Sequence, residues 1–211
     1  CPGGGGSGGP VDGGRPGTGP APPWQHPLLS EPIAVTSDGA DWSLLRADLR
    51  RHGPALVHGR LADWRLPPGE ETLLREVLGR DLPRYLSLGH GELRARYAAS
   101  RRLLKGAAAA ALGVSSADLE LTYGPTGRPS LRGFDQIDIS LSHTGDLLLV
   151  GLTTRGLIGV DVEPAARQLY RRGLRRRICT PQESRDLERL PEQDRNVGLV
   201  RLWTLKEAYS K

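Results

Sequence analysis

Residues 135–163 read DQIDISLSHTGDLLLVGLTTRGLIGVDVE, and two turn signals divide them into three short apolar runs. Residues 135–142 and 147–153 alternate as half-buried strands do, with Thr144-Gly145-Asp146 turning between them. Thr154-Arg155-Gly156 makes a second turn into residues 157–163. The pattern predicts an antiparallel meander of three strands.

Outward from this meander, the apolar spacing is helical. Residues 92–112 form the longest helix, alanine-rich in its second half, carrying Arg94, Arg96, Arg101, Arg102 and Lys105 in its first, and stopped by Gly113. A helix over 70–78 ends at Gly79, and a short amphipathic helix over 42–49 leads into a strand over 55–58. Residues 124–129 are turn sequence. Beyond the meander, basic residues crowd 167–177, Pro181 opens a helix with Glu183 in its first turn, and a final helix begins near Asn196.

The 211 residues can hold one ordinary domain or two small ones, and a 37% hydrophobic content is enough for a core. Residues 1–23 are dominated by glycine and proline and bury too little to order themselves. They contain no Gly-Lys-Ser/Thr, so the Gly3-Gly4-Gly5-Gly6 run is not a phosphate loop. No apolar run reaches a membrane-spanning length and no signal peptide is evident, so no membrane association and a cytoplasmic location are expected. Cys1 and Cys179 suggest no disulfide framework and are expected as free thiols. The chain lacks methionine, starts at Cys1 and stops at Lys211 within a helical pattern, so a fragment is expected. Its net charge of +5 suits an anionic partner: a nucleic acid, a nucleotide-like cofactor or an acidic protein.

Several residues carry chemistry. Asp161 and Glu163 stand two apart in an extended run, which sends both carboxylates to one face, a pair suited to a hard divalent cation. Taken alone they read equally as two exposed charges. Trp203, Glu207 and Lys211 recur at four-residue steps and share one helical face, a stripe that alone could be an ordinary Glu-Lys pair. Ser142-His143 are neighbours on a strand and face opposite ways, so this histidine cannot activate this serine. His143 fits better as a donor to phosphate. Arg101, Arg102, Lys105 and Arg128 are candidates for a phosphate clamp, because guanidinium forks grip phosphate oxygens in pairs.

Taken in order, Gly127-Arg128-Pro129-Ser130-Leu131, Ile139-Ser140-Leu141-Ser142-His143-Thr144, Ile158-Gly159-Val160-Asp161-Val162-Glu163 and Trp203-Thr204-Leu205-Lys206-Glu207-Ala208-Tyr209-Ser210-Lys211 resemble the 4'-phosphopantetheinyl transferases of the surfactin-synthetase-activating type. The resemblance covers roughly residues 55–211. It implies a fold of two similar α+β halves, each with an antiparallel sheet and a long helix, divided here into 24–155 and 156–211 with the second half incomplete. It implies that Asp161, Glu163 and Glu207 hold magnesium. Ser142 and His143 would hold coenzyme A phosphates, Arg128 and Pro129 would meet its nucleotide end, and Arg101 would add a further contact. Lys211 would lie near the diphosphate, and Glu207, or a water it orients, would act as the base. Glu183 would support the last motif.

The implied activity is magnesium-dependent transfer of 4'-phosphopantetheine from coenzyme A to a serine of an apo acyl or peptidyl carrier protein, by a monomer with no nucleic-acid partner. The carrier could serve fatty-acid, polyketide, nonribosomal-peptide or siderophore synthesis, secondary metabolism among them. Two positions depart from the family pattern: Ser140, where asparagine is common, and Thr144, where serine is common. Two other readings remain: a metal-dependent phosphoesterase using the same carboxylates, and a nucleic-acid module working through residues 167–177.

Overall fold

A computed structural model describes residues 31–37, 40–89, 91–170 and 173–211. The glycine- and proline-rich leader over 1–23, Cys1, and Arg171 and Arg172 of the basic run lie outside the described residues.

The main sheet has four strands in the order β1 (Ile33–Ala34), β2 (Pro54–Arg60), β6 (Leu147–Thr153), β5 (Asp138–Thr144). β1 runs parallel to β2, and the other pairs are antiparallel. Thr144 pairs with Leu147 across a two-residue loop, where Gly145 takes a φ of 53°, the left-handed conformation such a tight hairpin requires. β3 (Leu121–Tyr123) and β4 (Pro129–Leu131) form a separate small hairpin. They fall on either side of the segment read as turn.

Register assigns the two faces of the sheet. Ile139, Leu141, Leu148, Val150, Leu152, Ala55 and Val57 share one face. Against it packs the long helix α5 (Gly91–Leu112), following α1 (Ser43–His52), α2 (Leu61–Trp64), α3 (Glu71–Leu78) and α4 (Leu82–Ser87) in the chain. Ala99, Ala107 and Ala108 are fully buried on α5, and their small side chains let the helix backbone approach the sheet while Leu103 and Leu104 fill the space between. Burying these aliphatic side chains contributes about 1.5–3 kcal/mol for each large one.

The expected three-strand meander is corrected on one point. Residues 157–163 follow β6 as an extended segment but join no sheet, because β2 pairs with β6 along all seven of its residues and takes that edge. The segment instead crosses the second face of the sheet, where Gly151 leaves room for the side chains of Ile158 and Val160. Its amides are received by side chains of β5. Ile158 N donates to Asp138 Oδ2 (2.7 Å), Val160 N to Ser140 Oγ (3.1 Å) and Val162 N to Ser142 Oγ (3.3 Å). The two-residue period of β5 thus sets the spacing of a segment it does not pair with.

The remaining residues form α6 (Leu174–Ile178), α7 (Pro181–Arg189) and α8 (Glu192–Ser210) around a separate apolar cluster of Leu169, Ile178, Leu187, Leu199 and Val200. α7 begins in a capping box: Glu183 N donates to Thr180 Oγ1, and Thr180 N donates to Glu183 Oε2. α8 starts four residues before the expected Asn196, since Pro191 precedes it and Glu192 and Asp194 suit its first turn. Asn196 has another task. Its side chain receives the amides of Leu169 and Tyr170 and donates to the Arg167 carbonyl, fastening that loop to α8. Among the described residues no helix is long and apolar enough to cross a membrane.

Candidate active site

Where the crossing segment, β5 and the end of α8 meet, they enclose a cavity of about 330 Å³ lined by Arg84, Arg101, Tyr123, Pro129, Ser142, His143, Asp161, Glu163 and Lys211, among others. Ser142 and His143 point to opposite faces of β5, yet both reach this cavity because β5 is the outer strand of the sheet and the cavity wraps its edge.

Asp161 is the most enclosed acid of the site, its side chain 8% exposed. Its Oδ1 accepts from Lys211 Nζ at 2.6 Å and from Ser142 Oγ at 2.8 Å, while Lys211 Nζ also donates to Ser142 Oγ at 3.0 Å. Ser142 Oγ further accepts from Val162 N, so the hydroxyl is committed to holding Asp161 and its segment. The other oxygen, Asp161 Oδ2, is buried without a hydrogen-bond partner. A buried carboxylate oxygen in that state is costly unless a cation or donor meets it.

Glu163 shares both the cavity and a neighbouring groove with Asp161, and is ion-paired with Arg167. Glu207 lies on the last turn of α8, and its side chain does not line the cavity. Among the described residues no group of three or more His, Cys, Asp or Glu side chains is drawn together closely enough to hold a metal ion. The donor set still suits a hard cation: three carboxylates are carried by two adjoining elements, and one buried oxygen is left open.

The cations divide by role. Arg101 Nε donates to Asp81 Oδ2 (3.3 Å), Nη1 to Ser100 Oγ (3.1 Å) and Nη2 to Tyr123 Oη (3.2 Å), with the Tyr97 ring 4.0 Å away. Arg84 stands at the cavity near the rings of Tyr97 and Tyr123, and forms no ion pair among the described residues. Arg128 does not line the cavity. Its guanidinium donates to Asp138, to the Ile158 carbonyl (2.9 Å) and to the Lys211 carbonyl, tying β5, the crossing segment and α8 together. Arg102 and Lys105 leave the expected clamp. Arg102 donates to the Arg65 carbonyl over the Trp64 ring, and Lys105 is buried against the Glu76 carbonyl (2.8 Å), where desolvation lowers its pKa.

Partial desolvation lowers the His143 pKa although the residue keeps contact with solvent, with Arg96, Arg101 and Lys211 opposing its protonation, while a backbone hydrogen bond acts the other way. Three cations around an imidazole mark a place that favours an anion. Outside the site, Arg167 and Arg175 of the basic run are paired with Glu163 and Glu188. Lys206 Nζ bonds Glu183 Oε2 and the Ile178 carbonyl, each at 2.7 Å, so Glu183 joins α8 to the start of α7. Cys179 is a free thiol, and burial raises its pKa. Arg84, Asp81 and Tyr123 were not signalled as site residues by the sequence; only the proximity of Tyr123 to the Gly127-Arg128-Pro129 motif could have pointed to one of them.

The crossing segment and everything after it match a protein-family model over residues 157–211. That model is the 4'-phosphopantetheinyl transferase superfamily, to which these residues are similar. Three relatives carry that activity in their names. HetI of Nostoc sp., a 4'-phosphopantetheinyl transferase, is 29% identical over 156 residues, 70% of this chain and 66% of its own length. AcpT of Salmonella typhimurium, named likewise, is 28% identical over 92 residues, 44% of this chain and 48% of its own. A protein of Synechocystis sp. provisionally given the same name is 37% identical over 95 residues, 44% of this chain and 39% of its own. The chain spans less than two thirds of the length of each of these transferases.

Proposed function

We propose that this chain transfers 4'-phosphopantetheine from coenzyme A to a serine of an apo acyl or peptidyl carrier protein. The observation that carries the reading is the cavity itself: the buried Asp161 carboxylate, with one oxygen open, stands beside Lys211, His143, Arg101 and Arg84. Coenzyme A brings a diphosphate and a phosphomonoester, and cleaving the diphosphate demands charge neutralisation at both phosphates.

Asp161, Glu163 and Glu207 would hold magnesium, which when bound would neutralise charge on the diphosphate. Lys211 sits against Asp161 and supplies a second cation to the same region. Ser142 holds the Asp161 carboxylate in place. His143 and Arg101 would engage phosphate oxygens, and Arg128 would act by fixing the end of α8. In the reaction the carrier serine oxygen forms a bond to the phosphorus that bears pantetheine. The bond from that phosphorus to the bridging oxygen breaks, and adenosine 3',5'-bisphosphate leaves. Glu207, or a water it orients, accepts the serine proton.

The four ordered motifs support assignment to the surfactin-synthetase-activating type, with two α+β halves meeting near residue 155. A basic enzyme also suits both an anionic cofactor and the acidic surface usual for carrier proteins. Mass spectrometry of apo carrier proteins incubated with this chain, coenzyme A and magnesium tests the reading. The expected result is a gain of about 340 Da on one serine, the mass of the group a serine nucleophile would acquire. Release of phosphopantetheine into solution with no carrier modified would favour the phosphoesterase instead.

A further inference from the structure

Asp81 is a carboxylate buried behind the Arg84 and Arg101 side of the cavity, 5% exposed, at the end of the one-turn helix Gly79–Asp81. Its Oδ2 meets two donors from different elements: Arg101 Nε of α5, at 3.3 Å, and the hydroxyl of Tyr123 on β3, in a short contact. Tyr123 Oη in turn accepts from Arg101 Nη2 at 3.2 Å. With Ser100 Oγ on Nη1 and the Tyr97 ring nearby, each nitrogen of the Arg101 guanidinium has a partner. Arg101 and Tyr123 line the cavity, whereas Asp81 does not.

We propose that Asp81 and Tyr123 are positioning residues that fix the Arg101 guanidinium for a phosphate group of the bound cofactor, a proposal that rests on the coenzyme A reading of the cavity. Arg101 and Arg84 both approach the Tyr97 and Tyr123 rings, so two cations share one aromatic platform with a single carboxylate between them. Asp81 offsets one of them from behind, and the front of the cavity keeps an uncompensated positive charge for the ligand. Burial and the adjoining carboxylate raise the Tyr123 pKa, so its hydroxyl stays protonated and donates to Asp81. An arginine held at three nitrogens presents its remaining N–H groups to a phosphate with less ordering still to be lost on binding.

A structural tie and a positioning device differ in how their effects combine with loss of Arg101. Coenzyme A affinity, measured calorimetrically with magnesium present, should fall about tenfold in Tyr123→Phe and in Asp81→Asn, as expected for a disturbed charge-assisted hydrogen bond. In an Arg101→Ala background each substitution should then change affinity less than about twofold, whatever it does to melting temperature. Wild-type affinity in the single variants, or losses that simply add in the Arg101→Ala background, would overturn the proposal.

The Arg101 Nε–H resonance of arginine-labelled free protein gives a readout that needs no cofactor. It should be well dispersed and slow to exchange in the wild type and collapse towards free arginine in Asp81→Asn. If it is unchanged, the positioning role is wrong. If the wild type takes up no coenzyme A while this signal behaves as expected, it is the coenzyme A reading that fails.

Discussion

Gly159 lies directly against the carbonyl oxygen of Ala208, so close that a β-carbon at position 159 would overlap it. The crossing segment and α8 therefore meet backbone to backbone, and this contact brings Lys211 to Asp161. Gly159→Ala must push the two apart, at a cost of about 3 kcal/mol or more for overpacking a rigid contact. The melting temperature should fall by roughly 6–12 °C, and calorimetry should show coenzyme A affinity lost with it. A variant that melts and binds as the wild type would mean that α8 does not seat on this glycine.

Ser140→Ala removes the acceptor of the buried Val160 amide. A buried donor left unsatisfied costs about 1–3 kcal/mol. Denaturant unfolding should show that loss, and Ser140→Asn, which restores an acceptor at the same place, should recover part of it.

Arg84→Ala removes a cation of the cavity that forms no ion pair among the described residues. Its contribution to stability should be within about 1 kcal/mol, the scale of exposed cation–π contacts to the Tyr97 and Tyr123 rings. Coenzyme A affinity should fall about tenfold, the scale of one charge-assisted contact to phosphate. An unchanged dissociation constant would remove Arg84 from the site.

His143 gives a pH signature. Its folded-state pKa lies below the ordinary 6.5, so the unfolded chain takes the proton first as pH falls. The group is neutral in both states at high pH, and stability is lost as pH drops through 6.5 towards the lower folded value. A bound phosphate reverses the local balance by offsetting Arg96, Arg101 and Lys211. Coenzyme A binding near pH 6 should therefore be accompanied by proton uptake, read as a dependence of binding enthalpy on buffer ionisation, and His143→Gln should abolish it.

Glu207→Gln should leave coenzyme A affinity within about threefold while lowering transfer to the carrier by at least about a hundredfold, the range for general base catalysis. Transfer near the wild-type rate would place the base elsewhere.

Much of this was legible locally. The alternation of Asp138, Ser140 and Ser142 with Ile139 and Leu141, closed by Gly145, reads as one arm of a hairpin, and Thr180-Pro181 with Glu183 reads as a helix start. Residues 157–163 have the composition of a strand, but their place beside β6 is taken by β2, some 90 residues earlier in the chain, and no local pattern records such a pairing. Asp161, Ser142 and Lys211 carry motif signals and do meet. The clamp read from Arg101, Arg102 and Lys105 failed because successive helical residues turn by about 100°, which sends Arg102 to Trp64, while the end of α3 covers Lys105. Asp81 and Arg84 come from the short structures before α5, where isolated charged residues carry no periodic signal.

An ordinary sheet strand is held by peptide groups, which survive almost any substitution. The segment bearing Asp161 is held by Asp138, Ser140 and Ser142 side chains, which single codon changes can delete one at a time. The carboxylate of the candidate site is thus suspended from a row of detachable hooks, and drift at these three positions would loosen it while leaving the sheet intact.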